Sequence, residues 1–183
     1  MQRVDGNTVF RHAFLPDSLS MTVEATEEEI AKYGVRAGDI LLNRSSESVA
    51  QLACCCIVPK ECCAVYGSYI KCLRPKRHGT PAPFYMAGYF RSAVYRHEAE
   101  RVSPVYTTRA NMNVDRLSEI SVYYPDADTQ EKLGETLFVI FEYQKECKDQ
   151  ALCQSLNEFE KLLIEQFITY PILCFQKRED NKG

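Results

Sequence analysis

The spacing of large apolar residues changes several times along this chain, and each change predicts a different element. TVFRHAFL near the start reads as a strand. EATEEEIAKYG has the polar opening and the Gly34 stop of a short helix, and VRAGDILLNR turns at Gly38 and Asp39 before an apolar strand. LACCCIVP and CCAVYGSYIKCLRP are strand-forming runs ended by Pro59 and Pro75, with Lys60 and Glu61 supplying the turn between them; PKRHGTPAP then makes a rigid basic loop. Phe84, Tyr85, Tyr89, Phe90, Ala93 and Val94 recur at helical spacing, which predicts an amphipathic helix packed on the strands, with Arg91 and Arg96 on its outer face. VSPVYTTRANMN is loop-like, DRLSEI gives one or two helical turns, and SVYYP reads as a strand stopped by Pro125.

Beyond Pro125 the pattern becomes helical as far as Pro171. Asp126 or Asp128 can cap the start, and Glu131 lies where the helix dipole favours an acid. An unbroken helix of roughly forty residues would be about 60 Å long. Its apolar seam runs through Leu133, Leu137 and Ile140, then Gln144, Lys148 and Leu152, and finally Leu156, Phe159 and Leu163. That is a coiled-coil seam with a stutter. The polar centre KECKDQ either carries the stutter or divides the rod into two helices, and a hairpin folding back on its own domain is the other reading. The expected fold class is therefore α/β (α+β): a mixed-sheet domain over 1–125, a long spacer or dimerisation helix over 126–172 and a tail over 173–183.

Composition narrows the setting. A 45% hydrophobic fraction in 183 residues suffices for one packed domain with an appendage. MQRVDGNTVF has no apolar stretch of signal-peptide length, and purely apolar runs such as Leu137 to Phe141 are far short of a membrane span, so a cytoplasmic protein is expected. The cysteine count is nine, odd, with five crowded between Cys54 and Cys63, which argues for reduced thiols rather than a disulfide scaffold. With no CxxC pair, and with neighbouring strand residues pointing to opposite faces, no metal site is expected; the cysteines read as small hydrophobes.

The formal charge is -3, yet it is unevenly spread. Residues 71–116 hold nine basic residues (Lys71, Arg74, Lys76, Arg77, Arg91, Arg96, Arg101, Arg109 and Arg116) against three acidic ones (Glu98, Glu100 and Asp115), between two acidic flanks. Catalytic patterns are missing: three histidines (His12, His78 and His97), no GxSxG, no phosphate loop, no GxGxxG and no HExxH. Asp39 at its turn reads as a backbone-binding structural residue and His78 as a solvated one. Lys and Arg neutralise phosphates, while Ser, Thr and Asn reach base edges in the major groove. Arg44, Ser45 and Ser46 after a strand end, Lys71, Arg74, Lys76 and Arg77 on a strand and its loop, and Thr108, Arg109 and Asn111 in the following polar stretch are the candidate DNA-contacting residues. Asn113 also suits a cap for DRLSEI.

The order of VRAGDILLNRSSES, YGSYIKCLRP, PFYMAGYFRSAVYR and ANMNVDRLSEISVYYPDADTQEKL resembles the target-recognition domain and following helix of the DNA specificity subunits of type I restriction-modification systems, over about residues 30 to 170. The more telling parts are GDILLNR and the run Asn113, Leu117, Ile120, Val122, Pro125, Gln130. The resemblance implies a non-catalytic subunit that binds double-stranded DNA, with paired helices setting the distance between half-sites. It would dock a methyltransferase (modification) subunit, which binds S-adenosylmethionine, and through it the restriction subunit; the chain itself needs no cofactor. With one recognition domain and a late beginning relative to the family's lead-in, this chain looks like a half subunit whose homodimer would rebuild the two-domain form. The alternative is a protein-interaction module that keeps the recognition fold and has lost DNA binding. A fused methyltransferase would need an [N/D]PP[Y/F] loop, which is missing from these residues.

Overall fold

The computed structural model describes residues 1–46, 51–74, 81–102, 110–112 and 114–173. It is a mixed α/β fold with two three-stranded sheets, a short ribbon and a long C-terminal helical segment. The middle layer is the antiparallel sheet β5-β3-β7, made of β3 (Ile40–Asn43), β5 (Cys55–Ile57) and β7 (Ile70–Leu73), with Ile40 opposite Ile57 on one side and Leu73 on the other. Alternation sends Ile40, Leu42, Cys55 and Ile57 into the larger core and Leu41, Cys56, Ile70 and Cys72 into the smaller one. Two adjacent cysteines thus serve two cores. Burial holds the Cys56 thiol up at about 12 and raises that of Cys55 as well, so both stay protonated and apolar.

The smaller core is closed by a second sheet, in which β1 (Gln2–Val4) lies between antiparallel β2 (Met21–Thr22) and parallel β6 (Ala64–Tyr66). Two expectations are corrected here. The TVFRHAFL stretch is not a strand: its first half lies in helix α1 (Gly6–Arg11), because Asp5 caps the helix by accepting the Thr8 N–H at 2.7 Å, and only Phe14 bridges to Ile57. The Lys60–Glu61 turn does not join hairpin partners either, since β5 pairs with β3 and β6 with β1. By contrast, α2 (Glu27–Tyr33) matches its pattern, with a Thr26/Glu29 capping box and its end at Gly34. The Gly38 turn forms as expected, at a left-handed φ of 82°.

On the larger core, the helix expected over 84–94 is two helices, α3 (Pro83–Tyr89) and α4 (Ala93–Arg101), because Ser92 starts α4 as its N-cap, accepting the Tyr95 N–H. The outward face expected for Arg91 and Arg96 is corrected with it: Arg96 donates to the Leu52 carbonyl at 2.8 Å, and Arg91 turns into a cleft. The short helix expected at DRLSEI is α5 (Val114–Ser118). SVYYP is irregular rather than a strand. Its carbonyls at Ser121 and Tyr123 are taken by the hydroxyls of Tyr89 (2.8 Å) and Tyr85 (3.2 Å), which do the work of a neighbouring strand.

Residues 126–172 do not form one rod. Helix α6 (Ala127–Glu146), capped by Asp126, ends at Cys147; Asp149 caps α7 (Gln150–Ile164), which continues through a π-helical turn, Glu165–Thr169, to residue 173. Gln144 donates to Asn157 and Glu160 at 2.9 Å each, so α7 returns beside α6 as a hairpin about 35 Å long. The physical reason is the polar centre: the Asp149 cap and, Cys147 apart, no apolar residue from 144 to 150 leave little to bury across a continuous helix there. Cys147 and Cys153 are disulfide-bonded across the turn with Cα atoms 5.9 Å apart, which corrects the expectation of reduced thiols at this pair. Asp17 ties the turn to the N-terminal layer through Lys145 (2.6 Å) and Lys60 (2.7 Å). Those hydrogen bonds, that of Lys145 first, bring its carboxyl down to about 2. Among the described residues no helix is long and apolar enough to cross a membrane.

Candidate nucleic-acid interface

The candidate residues begin at the exit of β3. Arg44 leaves the strand exposed, its N–H bonded to the Tyr69 carbonyl at 3.0 Å and its own carbonyl accepting from the Met112 N–H at 2.8 Å. Next to it, β4 (Ser45–Ser46) pairs antiparallel with β8 (Ala110–Asn111), Ser45 opposite Asn111. Residues more than sixty positions apart in the chain are thereby joined in one ribbon. Ser46 Oγ meets Gln51 Oε1 at 3.0 Å. Tyr69, 55% exposed, occupies the neighbouring turn, and Lys71 stands on β7 opposite Leu42, one pair inward from the Asn43–Ile70 end.

Arg74 is brought elsewhere. β7 runs antiparallel to β3, so Arg74 follows the end that pairs with Ile40, on the order of 10 Å along the strand from the Arg44 end. There it is occupied: Nε and Nη2 donate to the two carboxylate oxygens of Asp39 at 2.7 Å each, and Nη2 also reaches the Gly34 carbonyl at 3.2 Å. Asp39 is 1% exposed and takes the Arg36 N–H as well, which is the structural role its turn position predicts. Lys76, Arg77, Thr108, Arg109 and Asn113 lie outside the described residues, as does the side chain of Asn111.

One cation escaped the sequence reading. Arg3 extends from β1 to the β6–β7 turn, close enough that a Cβ on Gly67 would meet its Nη2 at 2.8 Å, so it borders the turn that carries Tyr69. No local signal marks it, because its place depends on β1 being the central strand. Gln130, the last residue of the 113–130 run, has a structural place of its own. It is 2% exposed, donates to the Pro125 carbonyl at 2.8 Å and accepts the Ala82 N–H at 2.8 Å, thus latching the start of α6 to the start of α3.

The seam residues divide between inside and outside. Leu133, Leu137, Ile140 and Leu163 are 8%, 3%, 4% and 9% exposed, in the chain's own core. Leu152 and Phe159 are 53% and 51% exposed, and Leu156 and Phe159 face Val139 and Tyr143 across an open groove of about 530 Å³ between the two helices. Among the described residues no group of three or more His, Cys, Asp or Glu side chains is arranged to hold a metal ion. No protein-family model matches the chain, and no curated protein matches it either.

Proposed function

We propose that this chain is a sequence-specific DNA-binding subunit of the type I restriction-modification specificity class, a half-length form in which a recognition fold holds the target and the helical hairpin holds a second copy. The observation that carries the reading is the ribbon: Ser45 and Ser46 pair with Asn111 and Ala110, Arg44 beside them bonds to Met112 and Tyr69, Lys71 follows on the adjoining strand end, and Arg3 borders the turn that carries Tyr69. Phosphate-neutralising and base-reading side chain types from distant stretches meet there, and the β4–β8 ribbon is of a size that a major groove admits. The non-catalytic role fits the raised thiol of Cys54 and the well-paired Asp39, neither of which is poised for chemistry. S-adenosylmethionine would be bound by the methyltransferase subunit, which in turn would link the chain to the restriction subunit.

Duplex binding to a pool of random DNA tests the first half. Affinity is expected to fall steeply with salt. Arg44→Ala should weaken binding about three- to tenfold and lower the salt slope by about one, whereas Arg74→Ala should change the melting temperature and leave the slope alone. A chain that binds no duplex at low salt, even with a methyltransferase partner added, is a protein-interaction module instead.

For the second half, the exposed stripe of Val139, Tyr143, Leu152 and Phe159 is what a paired hairpin would cover in a two-fold dimer. Mass in solution should approach twice 21.0 kDa at micromolar concentration, and Phe159→Asp should return it to the single-chain value. A parent chain that stays at the single-chain mass removes the half-subunit arrangement.

A further inference from the structure

A cleft of about 650 Å³ opens between the end of α1, the α3–α4 turn and the helical hairpin, remote in sequence from the ribbon. Its apolar lining comes from Phe14, Leu137, Phe141 and Ile164. Its polar rim has Arg11 and His12 from the end of α1, Arg91 from the turn and Lys161 from α7 facing Gln144, Asn157, Glu160 and Glu165, three cations against two carboxylates. Glu160 already accepts from Gln144 at 2.9 Å, so part of the acidic side is engaged.

Arg91 is the unusual member. Its Nη2 is buried and has no hydrogen-bond partner. A buried donor on a charged group is among the costliest to leave unsatisfied, and a guanidinium is satisfied best by the two oxygens of a planar or tetrahedral anion. Packing forces do not require the cation: an apolar side chain would fill the same turn without that cost. What the position offers instead is a guanidinium bordering a cavity with an oily floor.

We propose that the cleft binds a small organic oxyanion, a carboxylate or phosphate held by Arg91 and His12, with its apolar body against Leu137, Phe141 and Ile164. Such a site lies beyond DNA recognition and would make the packing of the hairpin on the recognition fold sensitive to a metabolite. His12 supplies a signature. Burial first, then Arg91 and Arg11, keep its pKa below 6.5, so in the free protein the imidazole is mostly neutral at pH 7. An anion beside it reverses the field of the two arginines and raises that pKa. The facing charges on the other elements, Glu160, Lys161 and Glu165, are the same in both states, so the change reports the ligand. Binding therefore takes up protons, and affinity rises as pH falls from 7.5 towards 5.5.

Benzoate and phenyl phosphate are the probes, with acetate and inorganic phosphate as their headgroup controls, measured by calorimetry and by the NMR titration of the His12 ring in the full chain. The expected result is binding of one aromatic probe, at least tenfold tighter than its headgroup alone, with a raised His12 pKa. Which probe binds distinguishes carboxylate from phosphate. Arg91→Gln should abolish binding; if that variant fails to fold, His12→Gln should keep binding at pH 7.5 and lose its pH dependence. An unchanged His12 titration with millimolar amounts of both probes overturns the proposal. Displacement of the probe by duplex DNA overturns it too, because the cleft cations would then belong to the DNA face.

Discussion

Gly134→Val is expected to lower the melting temperature by roughly 5–10 °C. α6 crosses α3 at Gly134 so closely that a Cβ there would lie 2.7 Å from the Tyr85 backbone nitrogen, 2.8 Å from Phe84 Cβ and 2.9 Å from the Phe84 carbonyl carbon. None of these atoms can swing aside, so α3 or α6 must move. Overpacking of this kind costs about 1–3 kcal/mol, and replacing glycine inside a helix returns less than about 1 kcal/mol, so the clash wins. With backbone on both sides of the clash the cost lies at the upper end of that range, and a net loss of about 2–3 kcal/mol at about 2–4 °C per kcal/mol gives the stated drop. Gly88→Ala provides the contrast. Its Cβ would meet Leu137 Cδ1 at 2.6 Å and Ile168 Cδ1 at 2.8 Å, both ends of flexible side chains, and the expected loss is under about 1 kcal/mol. Thermal melts showing the opposite order would mean that the α3–α6 crossing is looser than described.

Asp39→Ala is expected to cost about 2 kcal/mol, or about 4–8 °C. Breaking a fully buried ion pair costs about 3–5 kcal/mol; here the Arg74 side chain is 44% exposed, so water recovers part of the loss. What remains is the Arg36 N–H, which loses its 2.8 Å acceptor at the turn into β3. The double variant Asp39→Ala/Arg74→Ala should be no less stable than the worse single variant, because each single change strands the other partner. Fully additive losses in the melts would show that the two side chains act independently. The same set separates scaffold from contact: Arg74 belongs to the Asp39 turn, so the double variant should retain the parent's salt slope for DNA.

Much of the central sheet was legible in the sequence. The Gly38–Asp39 turn, the ILL run of β3 and the Thr26/Glu29 box of α2 are local signals whose partners lie within a few residues, and the structure keeps them. The misreadings concern information that is not local. Thr8 and Val9 favour a strand by propensity, but the Asp5 cap and the seat of Val9 in the smaller core decide for a helix. SVYYP has a strand's composition and no strand beside it, only two tyrosine hydroxyls. For the hairpin, a stripe such as Leu133, Leu137 and Ile140 looks the same whether its cover is a second chain or α3; the spacing carries no label for the partner. At the candidate interface, the residue types were legible and the company they keep was not. Ser45 and Asn111 meet through strand pairing, Arg74 is claimed by a buried carboxylate, and Arg3 arrives from a strand some sixty residues away in the chain.

The central place of β1 bears on how this polypeptide is made. The strand is made well before its parallel neighbour Ala64–Tyr66, which is synthesised some sixty residues later, and the larger core waits for Ile164, Ile168 and Ile172 to cover α3. Contacts this distant close slowly. The smaller core can therefore be sealed once residue 72 is made, whereas the larger one stays open until residue 172, and a nascent chain stalled within α6 would leave the apolar face of α3 uncovered.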